Sequence, residues 1–491
     1  PALAASPGRM PADSKLYLYL DPGRFLSDAA TTFDPRQYLG WVPHQHVSYL
    51  WPAGPWYWLF DSLGVPDWVA HRLWVATILF AAGLGVYWCA RLLGLTALGA
   101  LVGALSYQLS PYVLAYLART SVMLLPWAGL GWIVGLTVRA GRRADRTGWV
   151  ARWADPAAIA LVVLTVGAIN ATALAMIVPG PVLWLVHSTW RGDIGWRRAL
   201  AVGGRTAVLS LAVSLWWVVM LVVQGRAGTD VLPYSESLDD VSYTATSTEV
   251  WRQLGYWLFY VRDRFGPTTS ASGRYLESGS AIAVSFAVPL LALLAVAFVR
   301  WSHRRFAALL MATGIVLAVG VHPIDNRSPL MRLLTGDADG GLALALRSST
   351  RALPLAGLGI ALALAAGIAA LGRAPDSPVS RHTGAETLPR AAPSTWPSVV
   401  AAGLVAVIVV ANLPGLWSGA FVDPAIDRDQ NPPHAWGAAA ATLDDPTGRV
   451  LQLPGQEFGA FVWGYTVDHP LAGMTAAPLA TRDLLPLGSA A

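Results

Sequence analysis

The tripeptide Asp13-Ser14-Lys15, with one acidic and one basic side chain, lies near the start of a polar and aromatic stretch over residues 11–61, and Asp21 follows it closely. A carboxylate just outside a bilayer can act as general base on a sugar hydroxyl that lies within hydrogen-bond reach. The ordinary alternative is a solvated loop acid. Asp13 starts a tryptophan-rich loop and lies two positions from the only lysine in the chain. From the residues alone, Asp13 is a candidate base, and a solvated loop acid is an equally good interpretation.

A second cluster has residue types that suit a phosphate. Arg347 and Arg351 flank two serines and a threonine, and His322 and Arg327 precede them in the same loop. Two arginines four positions apart share one face of a helix. Planar guanidinium groups bind phosphate oxygens through paired hydrogen bonds. We predict a phosphate site from Arg347 and Arg351, with Lys15, His322 and Arg327 as helpers. Nonspecific contact with lipid headgroups is the alternative.

Aromatic and polar side chains beside these clusters provide candidate surfaces for a saccharide. Aromatic rings can stack on sugars, but tryptophans also collect in ordinary interfacial belts of membrane proteins. Both interpretations stay open from the residues alone. The predicted acceptor contacts are Asp21, His44, His46, Trp51, Trp56, Trp251 and Trp257.

Composition places these clusters in a membrane protein. Of the 491 residues 55% are hydrophobic and 13% are charged, against about 25% charged in ordinary soluble chains. The mean hydropathy is +0.48. A spanning helix needs about 20 apolar residues. Ten segments are predicted to span: 69–92, 96–117, 121–139, 157–172, 174–188, 206–224, 280–300, 305–321, 353–373 and 397–418. We read 157–172 and 174–188, one long apolar run, as a tight hairpin.

The distribution of arginine predicts the orientation of the bundle. Loops 139–153, 190–205 and 300–305 are basic, and 373–396 is mixed. An excess of arginine marks the cytoplasmic side. Ten crossings then place 1–68, 225–279, 322–352 and 419–491 outside. Short alternating patterns within 448–455 and 459–467 indicate strands of a soluble C-terminal domain. We expect a further spanning segment before residue 1 and more sequence after residue 491.

Motifs of soluble enzymes and of nucleotide-driven pumps are absent from the sequence. It contains no phosphate-binding P-loop, no HExxH, no CxxC and no GxSxG. Charged residues deep in the apolar segments are scarce, although ion-coupled transporters usually keep them. The acids gather instead in the loops of one face, which favours chemistry at the outer surface. We predict no metal in the active site, although a divalent cation beside Asp13, Asp21 and 236–240 is an open alternative.

Five stretches give the chain a resemblance to a known family. They are ADSKLYLYLDP (12–22), SYLWPAGPWYWL (48–59), RLWVATILFAAGLG (72–85), LRSSTRALPLAGLGIALA (346–363) and RVLQLPGQEFGAFVWGYTVDHP (449–470). In this order they resemble the actinobacterial arabinofuranosyltransferase family AftD, membrane glycosyltransferases of the GT-C type. The resemblance implies an all-α bundle of about 10 to 11 spans with extracytoplasmic loops. The predicted parts are a catalytic first loop (1–68), a transmembrane core (69–418) and the start of an outer domain (419–491).

The same resemblance implies a function. The expected donor is decaprenyl-phosphate arabinofuranose, and the expected acceptor is the arabinan of arabinogalactan or lipoarabinomannan. The reaction would invert the configuration at the anomeric carbon and would take place on the outer face of the plasma membrane. The family's presumed base corresponds to Asp13, with Asp21 as the fallback. No cofactor and no nucleic acid are expected.

Other functions stay open from the residues alone. One is a polyprenyl-phosphate-mannose mannosyltransferase, and another is a transporter or flippase of lipid-linked saccharides. The basic loops 139–153 and 190–205 simply suit the cytoplasmic side. As an alternative, they could dock an acidic partner such as an acyl carrier protein.

Overall fold

The computed structural model describes residues 2–37, 39–42, 46–143, 148–228, 236–263, 266–335, 347–372, 395–417, 422–443, 448–453 and 459–481. The helices in chain order are α1 (Tyr17–Leu20), α2 (Pro22–Ala29), α3 (Ala53–Ser62), α4 (Asp67–Leu92), α5 (Ala97–Gln108), α6 (Leu124–Arg142), α7 (Trp149–Val166), α8 (Ala171–Ile177), α9 (Pro179–Trp190), α10 (Trp196–Ala227), α11 (Leu238–Ser242), α12 (Ser247–Trp251), α13 (Ser272–Glu277), α14 (Gly279–Phe298), α15 (Arg304–Val319), α16 (Pro329–Thr335), α17 (Leu353–Leu371), α18 (Trp396–Ala411), α19 (Pro414–Trp417) and α20 (His434–Leu443).

The strands are short and belong to the parts outside the bundle. They are β1 (Arg9–Pro11), β2 (Arg262–Asp263), β3 (Gly266–Pro267), β4 (Asp427–Asp429), β5 (Val450–Leu451), β6 (Gly459–Phe461), β7 (Gly464–Thr466) and β8 (Leu479–Ala480). The strand signals in 448–455 and 459–467 are therefore confirmed.

A helical membrane bundle, as predicted, is confirmed. Within the described ranges, eight helical segments are long and apolar enough to cross a membrane: Asp67–Leu92, Ala97–Ala115, Ser121–Arg142, Trp149–Val166, Ala171–Trp190, Trp196–Ala227, Gly279–Phe298 and Ser349–Leu371. The predicted segments 305–321 and 397–418 form α15 and α18, which have 16 residues each. Each of the ten predicted segments thus contains a helix, and two of them are shorter than a typical span.

The apolar run after residue 157 divides into two consecutive candidate spans, as expected. Helix α7 ends at Val166, and α8 and α9 together make the next candidate span. Asn170 lies in the turn between α7 and α8, where its side-chain oxygen accepts a hydrogen bond from the amide of Ala173 at 2.8 Å. This contact caps the first turn of α8.

Helix α17 forms the centre of the bundle. Its apolar window is 94% buried, whereas that of α10 is 11% buried and faces outward. Small residues let its neighbours approach its backbone closely, as at many interfaces between membrane helices. A Cβ atom on Gly103 of α5 would lie 2.6 Å from the carbonyl oxygen of Ala361. A Cβ on Gly314 of α15 would lie 2.4 Å from the amide nitrogen of Ala356.

The first loop and the C-terminal segment share one sheet, which has the strand order β1-β4-β7-β6. Strand β1 pairs antiparallel with β4, so that Met10 lies opposite Arg428. The side chain of Arg9 adds ion pairs to Asp427 at 2.5 Å and to Asp429 at 2.6 Å. The described residues of the C-terminal segment 422–481 therefore dock directly on the loop that carries Asp13.

The close approach of α15 to α17 leads to a prediction. Gly314→Ala should lower the thermal midpoint of the detergent-solubilised protein, because the new methyl group meets the backbone at Ala356. Gly204→Ala on α10 is the matched control, since a Cβ there meets nothing within 4 Å. Alanine favours a helix over glycine, so the control should be neutral or slightly stabilising. Equal midpoints for the two variants would contradict this packing.

Candidate active site where the first loop meets the bundle

The carboxylate of Asp13 is fully buried and receives four hydrogen bonds. Its Oδ1 accepts from the amide of Ser121 at 2.8 Å and from the hydroxyl of Ser14 at 3.1 Å. Its Oδ2 accepts from Nε2 of His71 at 2.9 Å and from the hydroxyl of Ser121. An ionised carboxylate offers about four acceptor sites, so every site is used. Asp13 is an interior group that joins the first loop to the bundle rather than a solvated loop acid.

Helix geometry explains why a negative charge is stable at this position. Ser121 begins the helical segment Ser121–Arg142, and its amide points at the Asp13 carboxylate. The amino end of a helix carries a partial positive charge that favours an anion. Trp74 of α4 completes the arrangement by donating its indole N–H to the Ser121 hydroxyl at 3.1 Å. That hydroxyl is thereby oriented to donate to Asp13.

The tautomer of His71 follows from its two neighbours. A guanidinium can only donate hydrogen bonds, and a nitrogen of Arg72 lies 3.0 Å from Nδ1 of His71. Nδ1 must therefore accept, so the proton lies on Nε2 and is donated to Asp13. Arg72 is itself held by the backbone carbonyl of Arg9 at 2.7 Å. Arg72, His71 and Asp13 thus form a continuous hydrogen-bonded row beneath the first loop.

Ser14 has a backbone conformation that is unusual for a residue with a side chain. Its φ is 54°, in the left-handed region that costs about 1–2 kcal/mol for most residues. Its amide donates to the carbonyl of Arg119 at 3.2 Å.

The nearby phenol of Tyr49 lies within electrostatic range of Lys15 and Asp13, and burial raises the pKa of Tyr49 to about 12. Tyr49 is therefore a neutral hydrogen-bonding group at neutral pH.

A second polar cluster lies near Tyr116, five positions before Ser121. Residues 116–121 link it to Asp13, and the five residue-to-residue steps from Tyr116 to Ser121 span at most about 18 Å. The ring of Tyr116 stacks on that of Tyr256 with centroids 4.7 Å apart. Arg351 is close enough to affect the ionisation of both phenols. Burial raises the pKa of Tyr256, and Arg351 opposes that rise.

Arg351 has unused hydrogen-bonding capacity. One of its terminal nitrogens donates to the side chain of Asn170 at 3.1 Å. Its Nε is buried and donates to no group in the described part of the chain, and the same holds for the Ser348 hydroxyl and the indole N–H of Trp257. Buried donors without acceptors are rare in folded proteins. The cluster therefore has donors available for an anion.

The structure corrects the prediction that Arg347 and Arg351 share a helix face. Arg347 lies in a turn before the short 3₁₀ helix Ser349–Ala352 that contains Arg351. The Nε of Arg347 donates to Glu236 at 3.1 Å, so the two arginines have different partners. The turn is fixed by Gly320, whose φ is 55° and whose missing Cβ leaves room for Ser349.

The other predicted helpers of the phosphate site lie elsewhere or have other partners. Lys15 forms an ion pair with Asp468 at 3.1 Å. His322 hydrogen-bonds to the backbone carbonyl of Ser242 at 2.9 Å. Arg327 follows the turn Ile324–Asn326 and is half-buried. Lys15 and His322 thus have partners other than Arg351, and no common phosphate clamp is seen among the described residues.

The predicted acceptor residues are dispersed. Asp21 caps α2 by accepting from the amide of Arg24 at 3.0 Å. His46 is buried between Phe25 and Trp41. Trp51 is 43% exposed, and Trp56 donates to the carbonyl of Ala70 at 3.1 Å. Trp251 packs on the hydrophobic core, and Trp257 adjoins the Tyr256 ring. His44 lies outside the described residues.

Sequence reasoning missed His71, Arg72 and Asp468. His71 and Arg72 are ionisable residues near the start of the apolar segment predicted at 69–92. Ionisable residues in such segments are a recognised functional signal, and it was available here. No comparable signal existed for Asp468, which lies 453 positions from its partner Lys15. In the described residues no group of three or more His, Cys, Asp or Glu side chains is arranged to hold a metal ion.

Comparison with known proteins identifies the family. Residues 2–491 match the family described as alpha-(1->3)-arabinofuranosyltransferase, N-terminal GT-C domain. The chain belongs to this GT-C AftD family. It is 30% identical over 504 aligned residues to an alpha-(1->3)-arabinofuranosyltransferase of Mycolicibacterium smegmatis, and 29% identical over 502 residues to one of Mycobacterium tuberculosis. Both alignments cover 99% of this chain.

A solved structure supports the fold. The cryo-EM structure of the arabinofuranosyltransferase AftD from mycobacteria superposes with a TM-score of 0.73 at 24% identity, covering 99% of this chain and 31% of that one. The chain also spans about a third of the two curated relatives, 33% and 34%. The AftD family resemblance and the membrane glycosyltransferase fold predicted from the sequence are confirmed.

The hydrogen bond from His71 to Asp13 leads to a prediction. His71→Leu should destabilise the protein, because it removes a donor from a buried carboxylate and an acceptor from Arg72. The expected loss in the free energy of unfolding is about 1–3 kcal/mol, seen as a lower thermal midpoint. His71→Gln is the matched control, because its amide nitrogen can still donate to Asp13. If His71→Gln is destabilised as much as His71→Leu, the hydrogen bond is not what His71 contributes.

Proposed function

We propose that this chain is the membrane-embedded catalytic part of an arabinofuranosyltransferase. It transfers arabinofuranose from a decaprenyl-phosphate donor to cell-wall arabinan of arabinogalactan or lipoarabinomannan, with inversion. One observation carries the proposal beyond family membership. A buried carboxylate and a half-buried arginine, whose buried Nε has no acceptor among the described residues, lie at the two ends of residues 116–121, which brings a candidate base and a candidate phosphate site into the same region.

Arg351 is the residue we assign to the donor phosphate. Its free Nε and the Ser348 hydroxyl offer hydrogen bonds to phosphate oxygens. The stacked rings of Tyr116 and Tyr256 exclude water beside it, which strengthens electrostatic stabilisation of the leaving phosphate. Arg347 is less suitable, because Glu236 already neutralises its charge. We assign it to holding the turn that presents Arg351.

Asp13 is the residue we assign as general base. All its acceptor sites are filled in this structure, so the acceptor hydroxyl must replace one donor. The Ser14 hydroxyl makes the longest of the four bonds, at 3.1 Å, and exchanging one hydroxyl for another costs little. The acceptor oxygen then attacks the anomeric carbon while its proton passes to Asp13. The bond from that carbon to the phosphate oxygen breaks, and its electron pair leaves with the lipid phosphate.

The arginine pattern favours a plasma-membrane protein with this site on the extracytoplasmic face. The donor is lipid-linked, which fits a site beside the membrane surface. An acidic partner at the basic loops remains a further proposal. In loop 139–153, Arg139 and Arg143 already face Asp155 at 2.7 Å and 3.8 Å. That arrangement weakens the positive field available to such a partner.

A direct assay tests the proposed function. Full-length protein in detergent should transfer labelled arabinose from a synthetic polyprenyl-phosphate arabinofuranose to an arabinoside acceptor. Transfer of mannose instead would favour a mannosyltransferase. Movement of the intact donor across proteoliposomes without a new glycosidic bond would favour a flippase.

The same assay tests Asp13. Asp13→Asn should lower kcat by about 10²- to 10⁴-fold, the usual contribution of a general base. Ser121→Ala serves as the structural control, because it removes one donor to Asp13 and leaves the carboxylate in place. It should lower the thermal midpoint while retaining most of the turnover. Full turnover by folded Asp13→Asn would exclude Asp13 from the chemistry.

The donor site leads to a separate prediction. Arg351→Ala should raise the KM for the lipid-phosphate donor by about 10-fold or more, because it removes hydrogen bonds to a charged group. Arg347→Ala should have a smaller effect, since Glu236 balances its charge. Arg332→Ala, at an exposed arginine on α16, is the control and should match the wild type. An unchanged donor KM in Arg351→Ala would place the phosphate elsewhere.

A further inference from the structure

A second carboxylate reaches the candidate active site from the C-terminal segment. Asp468 forms its ion pair with Lys15, two residues from Asp13. The phenol of Tyr49 lies within electrostatic range of Asp13, Lys15 and Asp468 together. The active site is therefore built from both ends of the chain.

The two carboxylates differ in how their oxygens are used. Asp13 accepts four hydrogen bonds and its side chain is fully buried. Asp468 uses Oδ1 for Lys15, while its Oδ2 is buried and receives no hydrogen bond within the described ranges. The Asp468 side chain is 14% exposed. A buried acceptor without a donor is costly, so this oxygen requires an explanation.

Contacts of the residues that follow Asp468 hold it in place. The neighbouring His469 packs edge-on against Trp436 with ring centroids 5.2 Å apart and contacts Gln452. Burial lowers the pKa of His469 to about 4, so the ring is neutral at neutral pH. Directly after His469, the turn Pro470–Gly473 docks on α1. A Cβ atom on Gly473 would lie 2.9 Å from that of Leu20.

The docked turn makes Asp468 a fixed group rather than a mobile surface acid. Arg24 of the first loop donates to the carbonyl of Ala472 at 3.3 Å. The strands β1 and β4 join the same two parts of the chain. The unused oxygen therefore has a defined position beside Lys15, and little rotation is available to find a partner within the protein.

We propose that Asp468 binds the acceptor saccharide. Its Oδ2 accepts a hydrogen bond from an acceptor hydroxyl next to the one that attacks, and Lys15 holds the carboxylate in position. This inference rests on the proposed function and adds the residue that orients the acceptor. A sugar presents several neighbouring hydroxyls, so one can approach Asp13 while another contacts Asp468. The partner for Oδ2 is the substrate.

The two carboxylates then have separate roles. Asp13 receives the proton of the attacking hydroxyl, and Asp468, held by Lys15, orients the sugar. Loss of Asp468 should therefore weaken acceptor binding, whereas loss of Asp13 should slow turnover. This division also assigns a function to the docking of residues 422–481 on the first loop.

Kinetics of the full-length protein with an arabinoside acceptor test the proposal. Asp468→Asn should raise the acceptor KM about 10-fold or more, leave the donor KM unchanged and change kcat less than threefold. Asp325→Asn, at an exposed acid in the turn Ile324–Asn326, is the matched control and should resemble the wild type. An unchanged donor KM in Asp468→Asn also shows that the variant is folded.

Two results would overturn the proposal. One is an unchanged acceptor KM in both Asp468→Asn and Asp468→Ala. The other is a fall of more than 100-fold in kcat at constant acceptor KM, which would make Asp468 the base. Binding of an arabinan oligosaccharide, measured without donor, separates this inference from the proposed function. Asp468-dependent binding by a protein that transfers no arabinose would keep the inference and contradict the function, whereas binding unaffected by Asp468→Asn would contradict the inference.

Discussion

The buried carboxylate of Asp13 is the interaction on which the rest of the site depends. Its donors come from the first loop, from α4 and from the amino end of the segment that contains α6. Burying a lone charge costs several kcal/mol unless it is paired and hydrogen-bonded. The full set of donors meets that requirement and fixes three separate parts of the chain against one another. His71 can serve as one of these donors because Arg72 holds Nδ1 as an acceptor and leaves the proton on Nε2.

Around this point the bundle and the C-terminal segment supply the remaining parts. Close packing of Gly103 and Gly314 on α17 fixes the positions of α5 and α15 against the helix that follows Arg351. Residues 116–121 connect the tyrosine pair beside Arg351 to Ser121 beside Asp13. The β1–β4 pairing brings Asp468 to Lys15. Donor, base and acceptor contacts can thus meet in one place although their residues are far apart in sequence.

The membrane spans were predictable because about 20 apolar residues are a local property of the sequence. The predicted segment 69–92 and helix α4 differ by two residues at one end. The first loop and the family resemblance together pointed to Asp13. Its burial could not be predicted, because His71 and Ser121 lie 58 and 108 positions away. Local spacing also suggested a joint role for Arg347 and Arg351. In the fold, however, Arg347 donates to Glu236 and Arg351 donates to Asn170.

The central claim is that a lipid-linked sugar lies between Arg351 and the carboxylates of the first loop. The most direct measurement is a cryo-EM structure of the full-length protein with a non-hydrolysable polyprenyl-phosphonate arabinofuranose. The account predicts density for the phosphonate within hydrogen-bond distance of Arg351, and density for the sugar ring towards Asp13 and Asp468. A phosphonate bound away from Arg351, or a sugar ring turned away from both carboxylates, would contradict it.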